Sequence, residues 1–164
     1  MTLAEINAMN SDQFVAALGW VFEHSPWVAE RAWPRRPFAS RETLHRAMMG
    51  ELENATHDEQ LALLRAHPDL GTRAKVSAAS AGEQTRAGLD QLSEEEFETF
   101  VWLNVGYREK FGFPFLYAVK GSNKHDIFVA LGVRMDSSPE DEFQQALSEV
   151  GRIAWFRLQG AIAA

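Results

Sequence analysis

Residues 93–112, SEEEFETFVWLNVGYREKFG, decide the fold class. Ser93 followed three positions later by Glu96 has the spacing of a capping box, in which the serine oxygen and the glutamate carboxylate each satisfy a backbone N–H of the first turn. Behind it Phe97, Phe100, Val101, Asn104, Tyr107 and Phe111 recur at three- and four-residue steps, which places them on one stripe of an α-helix. Gly112 is the expected stop, because glycine takes up the left-handed conformation that closes a helix.

The same grammar extends in both directions. Ser80 with Glu83, and Thr56 with Glu59, repeat the capping-box spacing. Leu61 and Leu64 follow Thr56 in a helix that should end near His67-Pro68. Ser40 opens a helix with Leu44, Ala47, Met48 and Leu52 inward, and Ser11 caps one carrying Phe14, Leu18, Val21 and Phe22 until Ser25-Pro26 interrupts it. Beyond Gly112, residues 113–119, FPFLYAV, are apolar without helical period and read as a short extended or irregular piece. Lys124 to Met135 is again helical, and Ser138-Pro139 supplies an N-cap and N1 proline to a last helix running to about Gln159. The expectation is an all-α, bundle-like single domain over residues 1–164 with one short irregular or extended segment.

Composition narrows the function classes. With 46% hydrophobic residues, eleven Phe and five Trp, 164 residues can bury a sizeable core. Sixteen Lys and Arg against 23 Asp and Glu leave a formal charge of -7, which repels phosphate backbones and anionic membrane surfaces, so nucleic acid and membrane are not expected partners. The chain has no Cys, which removes disulfides and thiolate chemistry and fits a reducing compartment. The N-terminal residues lack a basic region followed by an apolar run, no stretch of 18 apolar residues occurs, and the C-terminus carries no peroxisomal tripeptide. A cytoplasmic protein is expected.

Polar residues that interrupt apolar stripes are the candidates for chemistry, because burying an unpaired polar group costs about 1–3 kcal/mol. Arg157 continues the Phe143, Leu147, Val150 and Ala154 face of the last helix; it snorkels to solvent, pairs with an internal carboxylate or meets a substrate carboxylate. Asn104 sits mid-stripe, tying down a neighbouring segment or binding a ligand. His67 stands at a helix end, as a cap or as a catalyst, and Glu83 is either the partner of Ser80 or functional. The five His residues include no HxH or HExxH pair, so no metal site is expected.

These residues lie in segments that together resemble the OHCU decarboxylase family, whose substrate is 2-oxo-4-hydroxy-4-carboxy-5-ureidoimidazoline (OHCU). The segments are FEHSPWVAERAWPRRPF from Phe22, RAHPDLG from Arg65, SAGEQTRAGL from Ser80, LNVGYREKFGFPFLYAV from Leu103 and EVGRIAWFRL from Glu149. The resemblance implies an all-helical homodimeric decarboxylase that yields (S)-allantoin and carbon dioxide without metal or organic cofactor. Carried over by position, it implies His67 as the catalytic histidine and Glu83 as its companion. It further implies substrate contacts from Pro68, Ser80, Gln84 and Arg157, and a Phe113-Pro114-Phe115 loop whose backbone through Leu116, Tyr117, Ala118 and Val119 lines the pocket. Thr72 to Lys75 after HPDLG vary from other members, and the tail lacks the peroxisomal ending of some eukaryotic ones, which bears on loop detail and location.

Two rival readings predict different behaviour. A J-domain-like co-chaperone also carries His-Pro-Asp between helices, but it needs a basic helix before the motif, and ELENATHDEQLALLRA at 51–66 has more acids than bases. A helical scaffold whose polar residues merely specify packing predicts no turnover and tolerates His67→Gln.

Overall fold

A computed structural model describes residues 1–164 as nine α-helices and two short 3-10 turns, with no strand. The chain is all-α, as its periodicity predicts. Its contacts form two compact units, Met1–Ala66 with Gly151–Ala164, and His67–Val150.

In the first unit, α1 (Leu3–Ala8) and α2 (Ser11–Leu18) are each opened by a reciprocal cap, and α2 runs into a 3-10 turn at Gly19–Val21. The cap of α2 is Asn10 rather than Ser11. Its side chain accepts from Gln13 N at 2.9 Å while Gln13 Oε1 accepts from Asn10 N at 3.0 Å, and Ser11 becomes the first helical residue. α3 (Trp27–Ala32), α4 (Arg41–Glu53) and α5 (His57–Arg65) follow, the last two capped by Ser40 and Thr56 as expected. α1 and α3 are six residues each, too short to reveal a period. Residues Gly151–Ala161 of the last helix, α9 (Pro139–Ala161), complete this unit. Phe14, Leu18, Leu44, Met48, Leu52 and Ala154 are all fully buried, and each large apolar side chain contributes about 1.5–3 kcal/mol. His45 ties α4 to α9 through Nε2 and Gly151 O at 2.8 Å, with its ring edge-on to Trp155.

The second unit holds α6 (Ala78–Arg86), α7 (Glu94–Phe111), α8 (Lys124–Arg134) and residues Pro139–Val150 of α9. The Ser80–Glu83 capping box does not form. Ser77 is the cap, its Oγ accepting from Ser80 N at 3.2 Å, because Ala78 and Ala79 are strong helix formers and extend α6 back by most of a turn. Ser80 and Gln84 thereby become buried residues on one side of the helix.

α7 is capped by Ser93 with Glu96 and ends at Gly112, whose φ of 81° is the left-handed stop. Its buried line is Phe100, Asn104 and Tyr107, while Val101 is 45% exposed and lies off the stripe to which the periodicity assigned it. α8 begins at the Asn123–Asp126 cap and joins α7 through Lys124 Nζ and Glu96 Oε1 at 2.9 Å and the Phe100–Phe128 rings. Ser138 Oγ caps α9 by accepting from Asp141 N at 3.2 Å.

Candidate active site

His67 stands two residues beyond the end of α5, where Ala66 closes the helix, and is 6% exposed. Pro68 cannot continue a helix, so the chain turns here. The turn is clamped from two helices. Gln84 Oε1 accepts from Gly71 N at 3.0 Å, Asn104 Nδ2 donates to Leu70 O at 2.9 Å, and Arg108 Nη2 donates to Asp69 Oδ1 at 2.8 Å. Ser80 and Gln84 are buried and Glu83 and Pro68 half-buried. All belong to the second unit.

The 113–119 segment belongs to the same unit and is neither helix nor strand. Phe113, Phe115, Leu116, Ala118 and Val119 are buried and Tyr117 half-buried. A backbone without its own ladder needs other partners for its polar groups, and buried side chains supply them. Arg134 donates to Leu116 O, and Glu149 Oε1 accepts from Ala118 N at 3.3 Å. Arg134 Nε also donates to Glu142 Oε1 at 2.7 Å, and Tyr107 OH donates to the same oxygen. Burial first, and the Glu142 carboxylate second, push the Tyr107 phenol well above its ordinary range, so it remains a donor. The Tyr107 ring meets Phe113 and Phe115 edge-on at 6.0 and 5.4 Å.

Arg157 belongs to the first unit. Its Nη2 donates to Glu23 Oε2 at 2.9 Å and its Nη1 to Trp20 O and Val21 O at 3.2 and 3.3 Å. The internal-carboxylate alternative is therefore realised for at least one edge of the guanidinium. No group of three or more His, Asp or Glu side chains is arranged to hold a metal, and no helix is long and apolar enough to cross a membrane.

Sequence reading missed Glu23, Arg134, Glu142 and Glu149, all at most 9% exposed. Glu142 and Glu149 flank fully buried Ala146 at three- and four-residue steps, a signal that was available. Glu23 lies in an irregular turn, where periodicity carries no information.

The sequence profile described as OHCU decarboxylase matches residues 7–159. The chain is similar to the 2-oxo-4-hydroxy-4-carboxy-5-ureidoimidazoline decarboxylase of Haloferax volcanii, at 51% identity over 158 residues, covering 96% of this chain and 94% of that protein. It is also similar to the uric acid degradation bifunctional protein PucL of Bacillus subtilis, at 47% identity, covering 98% of this chain and 33% of that protein. Among solved structures it resembles a crystal structure of (S)-allantoin synthase, with a TM-score of 0.81 and 34% identity over 99% of this chain and 54% of that one. With the profile matched over nearly its whole length, the chain belongs to the OHCU decarboxylase family.

Proposed function

We propose that the chain converts OHCU to (S)-allantoin and carbon dioxide in urate breakdown, with His67 as the proton donor that sets the product's handedness. The observation that carries this reading is that His67, in a chain of this family, is buried on a turn clamped by Gln84 and Asn104.

The chemistry suits these side chains. When the bond from the carbinol carbon to the carboxylate breaks, carbon dioxide leaves and the electron pair moves into the adjacent ring imine. The substrate is its own electron sink, so the step proceeds without metal or organic cofactor, and the protein's task is orientation and placement of the proton. A histidine, with an ordinary pKa of about 6.5, holds a proton near neutrality and delivers it to one face of the resulting enol. Glu83 accepts a hydrogen bond from the substrate hydroxyl. Ser80, Gln84 and the backbone of 115–119 read the ring and ureido groups, and Pro68, Phe113 and Phe115 exclude water. Arg157, its charge balanced by Glu23, is proposed as an anchor for an anionic or carbonyl oxygen.

The proposal extends to assembly and location. Trp102, Val101 and Val105 on α7, and Val129 and Val133 on α8, are 45–75% exposed, an apolar surface of the kind a homodimer covers. Lack of cysteine fits the cytoplasm.

The deciding experiment generates substrate from urate with the upstream enzymes and follows circular dichroism at the chiral signal of allantoin. Wild type should give (S)-allantoin rapidly, and folded His67→Gln should give racemic product at the uncatalysed rate. Racemic product from folded wild type would remove the decarboxylase reading; full activity in His67→Gln would remove the role of His67.

A further inference from the structure

The peptide joining Leu70 to Gly71 is gripped on both edges. Its carbonyl accepts from Asn104 Nδ2 at 2.9 Å, and its N–H donates to Gln84 Oε1 at 3.0 Å. The chain's one cis bond is Arg36-Pro37, so this peptide is trans and its two groups point in opposite directions. Asn104 of α7 and Gln84 of α6 therefore stand on opposite edges of one peptide plane, three to four residues beyond His67.

Chemistry fixes how each amide is turned. A carbonyl can be met only by the NH₂ end of an amide, and an N–H only by the oxygen end. Asn104 must therefore present Nδ2 to Leu70, and Gln84 must present Oε1 to Gly71. The opposite ends, Asn104 Oδ1 and Gln84 Nε2, are buried without a hydrogen-bond partner in the protein, on residues 4% and 8% exposed. For Gln84 the consequence is directional: the end left for a ligand is a donor, which selects a carbonyl or carboxylate oxygen.

We propose that Asn104 is a positioning residue of the reaction centre. By holding the Leu70 carbonyl it fixes the 70–71 peptide, and through that peptide it sets both the turn that carries His67 and the rotamer with which Gln84 offers Nε2 to an acceptor oxygen of the substrate. The inference rests on the proposed decarboxylase reading with His67 as proton donor. Asn104 itself touches no reacting atom.

The test compares Asn104→Leu, Asn104→Asp and His67→Gln with wild type in kcat, KM, enantiomeric excess per turnover and thermal midpoint. Leu removes the donor and leaves the buried Leu70 carbonyl without its partner, so the thermal midpoint should fall, and kcat is compared per folded molecule. Asp keeps the size but turns an acceptor toward the Leu70 carbonyl, and serves if the Leu variant does not fold. Both should lower kcat by about 10- to 100-fold, raise KM, and lower the enantiomeric excess of whatever product forms. A purely structural role would lower kcat only in proportion to the folded fraction and leave the enantiomeric excess unchanged. In a Gln84→Leu background, Asn104→Leu should cost less than in wild type, because part of its effect passes through Gln84. Wild-type kcat and enantiomeric excess in a folded Asn104 variant, with His67→Gln inactive, overturns this inference alone. An active His67→Gln overturns the reading beneath it as well.

Discussion

Arg157 and Glu23 form a buried ion pair, Nη2 to Oε2 at 2.9 Å, with side chains 4% and 1% exposed. Its members are 134 positions apart in sequence, one on the last helix and one in a turn near the start of the chain. Breaking such a pair leaves a charge uncompensated in a low-dielectric interior, which costs about 3–5 kcal/mol. Glu23→Ala should therefore lose about that much in denaturant titration, and Glu23→Gln less, because an amide oxygen still accepts from Arg157 Nη2. A loss below about 1 kcal/mol for Glu23→Ala would show that the pair is not a structural support.

Tyr107→Phe removes a buried hydroxyl that donates to the Glu142 carboxylate, itself held by Arg134. Hydrogen bonds to charged groups contribute about 1.5–3 kcal/mol, and the variant should lose about 2 kcal/mol. Arg134→Met should go further and lower kcat/KM, since Arg134 also holds the Leu116 carbonyl in the 113–119 segment. Unchanged kcat/KM in folded Arg134→Met would separate this network from the site.

Gly71→Ala tests the turn beyond His67. Gly71 has φ +73°, and a Cβ there would lie 3.1 Å from Leu92 Cδ1 and 3.4 Å from Phe100 Cγ. The conformation alone costs an L residue about 1–2 kcal/mol. The substitution should lower the thermal midpoint and, by displacing the N–H that orients Gln84, lower kcat more than the fall in folded protein explains. Activity that follows the folded fraction would argue against that link.

Acid should weaken the first unit through Glu59. Its carboxyl is held down from 4.5 to about 2, first by the Arg31 guanidinium and then by the Thr56 backbone N–H. A carboxylate with a depressed folded-state pKa stabilises above its unfolded value, so the contribution is complete above about pH 4.5 and disappears as pH falls through about 2. Glu59→Gln should flatten the stability profile in that window, and carbon-detected titration of Glu59 should show a midpoint near 2. A midpoint near 4.5 would mean that the pair is absent in solution.

Trp102→Glu places a charge on the most exposed large apolar side chain, which is 75% accessible. If α7 and α8 carry the homodimer contact, sedimentation should show a dimer for wild type and a monomer for the variant at the same micromolar concentration. A wild-type monomer under those conditions removes the dimer proposal.

Helix identity was legible in the sequence because it is local. The Ser93–Glu96 and Thr56–Glu59 boxes, the Gly112 stop and the 3.6-residue stripes each depend on residues within a turn or two of one another. The same locality explains the errors. Ser80–Glu83 and Ser77–Ser80 have equal spacing, and Val101 and Asn104 both fit a broad stripe, so only packing could choose between a cap and a buried serine, or between a core valine and an exposed one. The proposed site residues His67, Ser80, Glu83, Gln84 and the 113–119 segment were supplied by resemblance. Their supports were not: Glu142 resembles any acid in a first helical turn until Arg134 and Tyr107 are brought to it, and Asn104 is an anomaly until Leu70 turns its carbonyl toward it. Local hydrogen bonding and periodicity determined the helices from sequence alone. The partners of buried polar groups were decided only in the tertiary structure, because desolvation must be compensated by residues that sequence distance does not reveal.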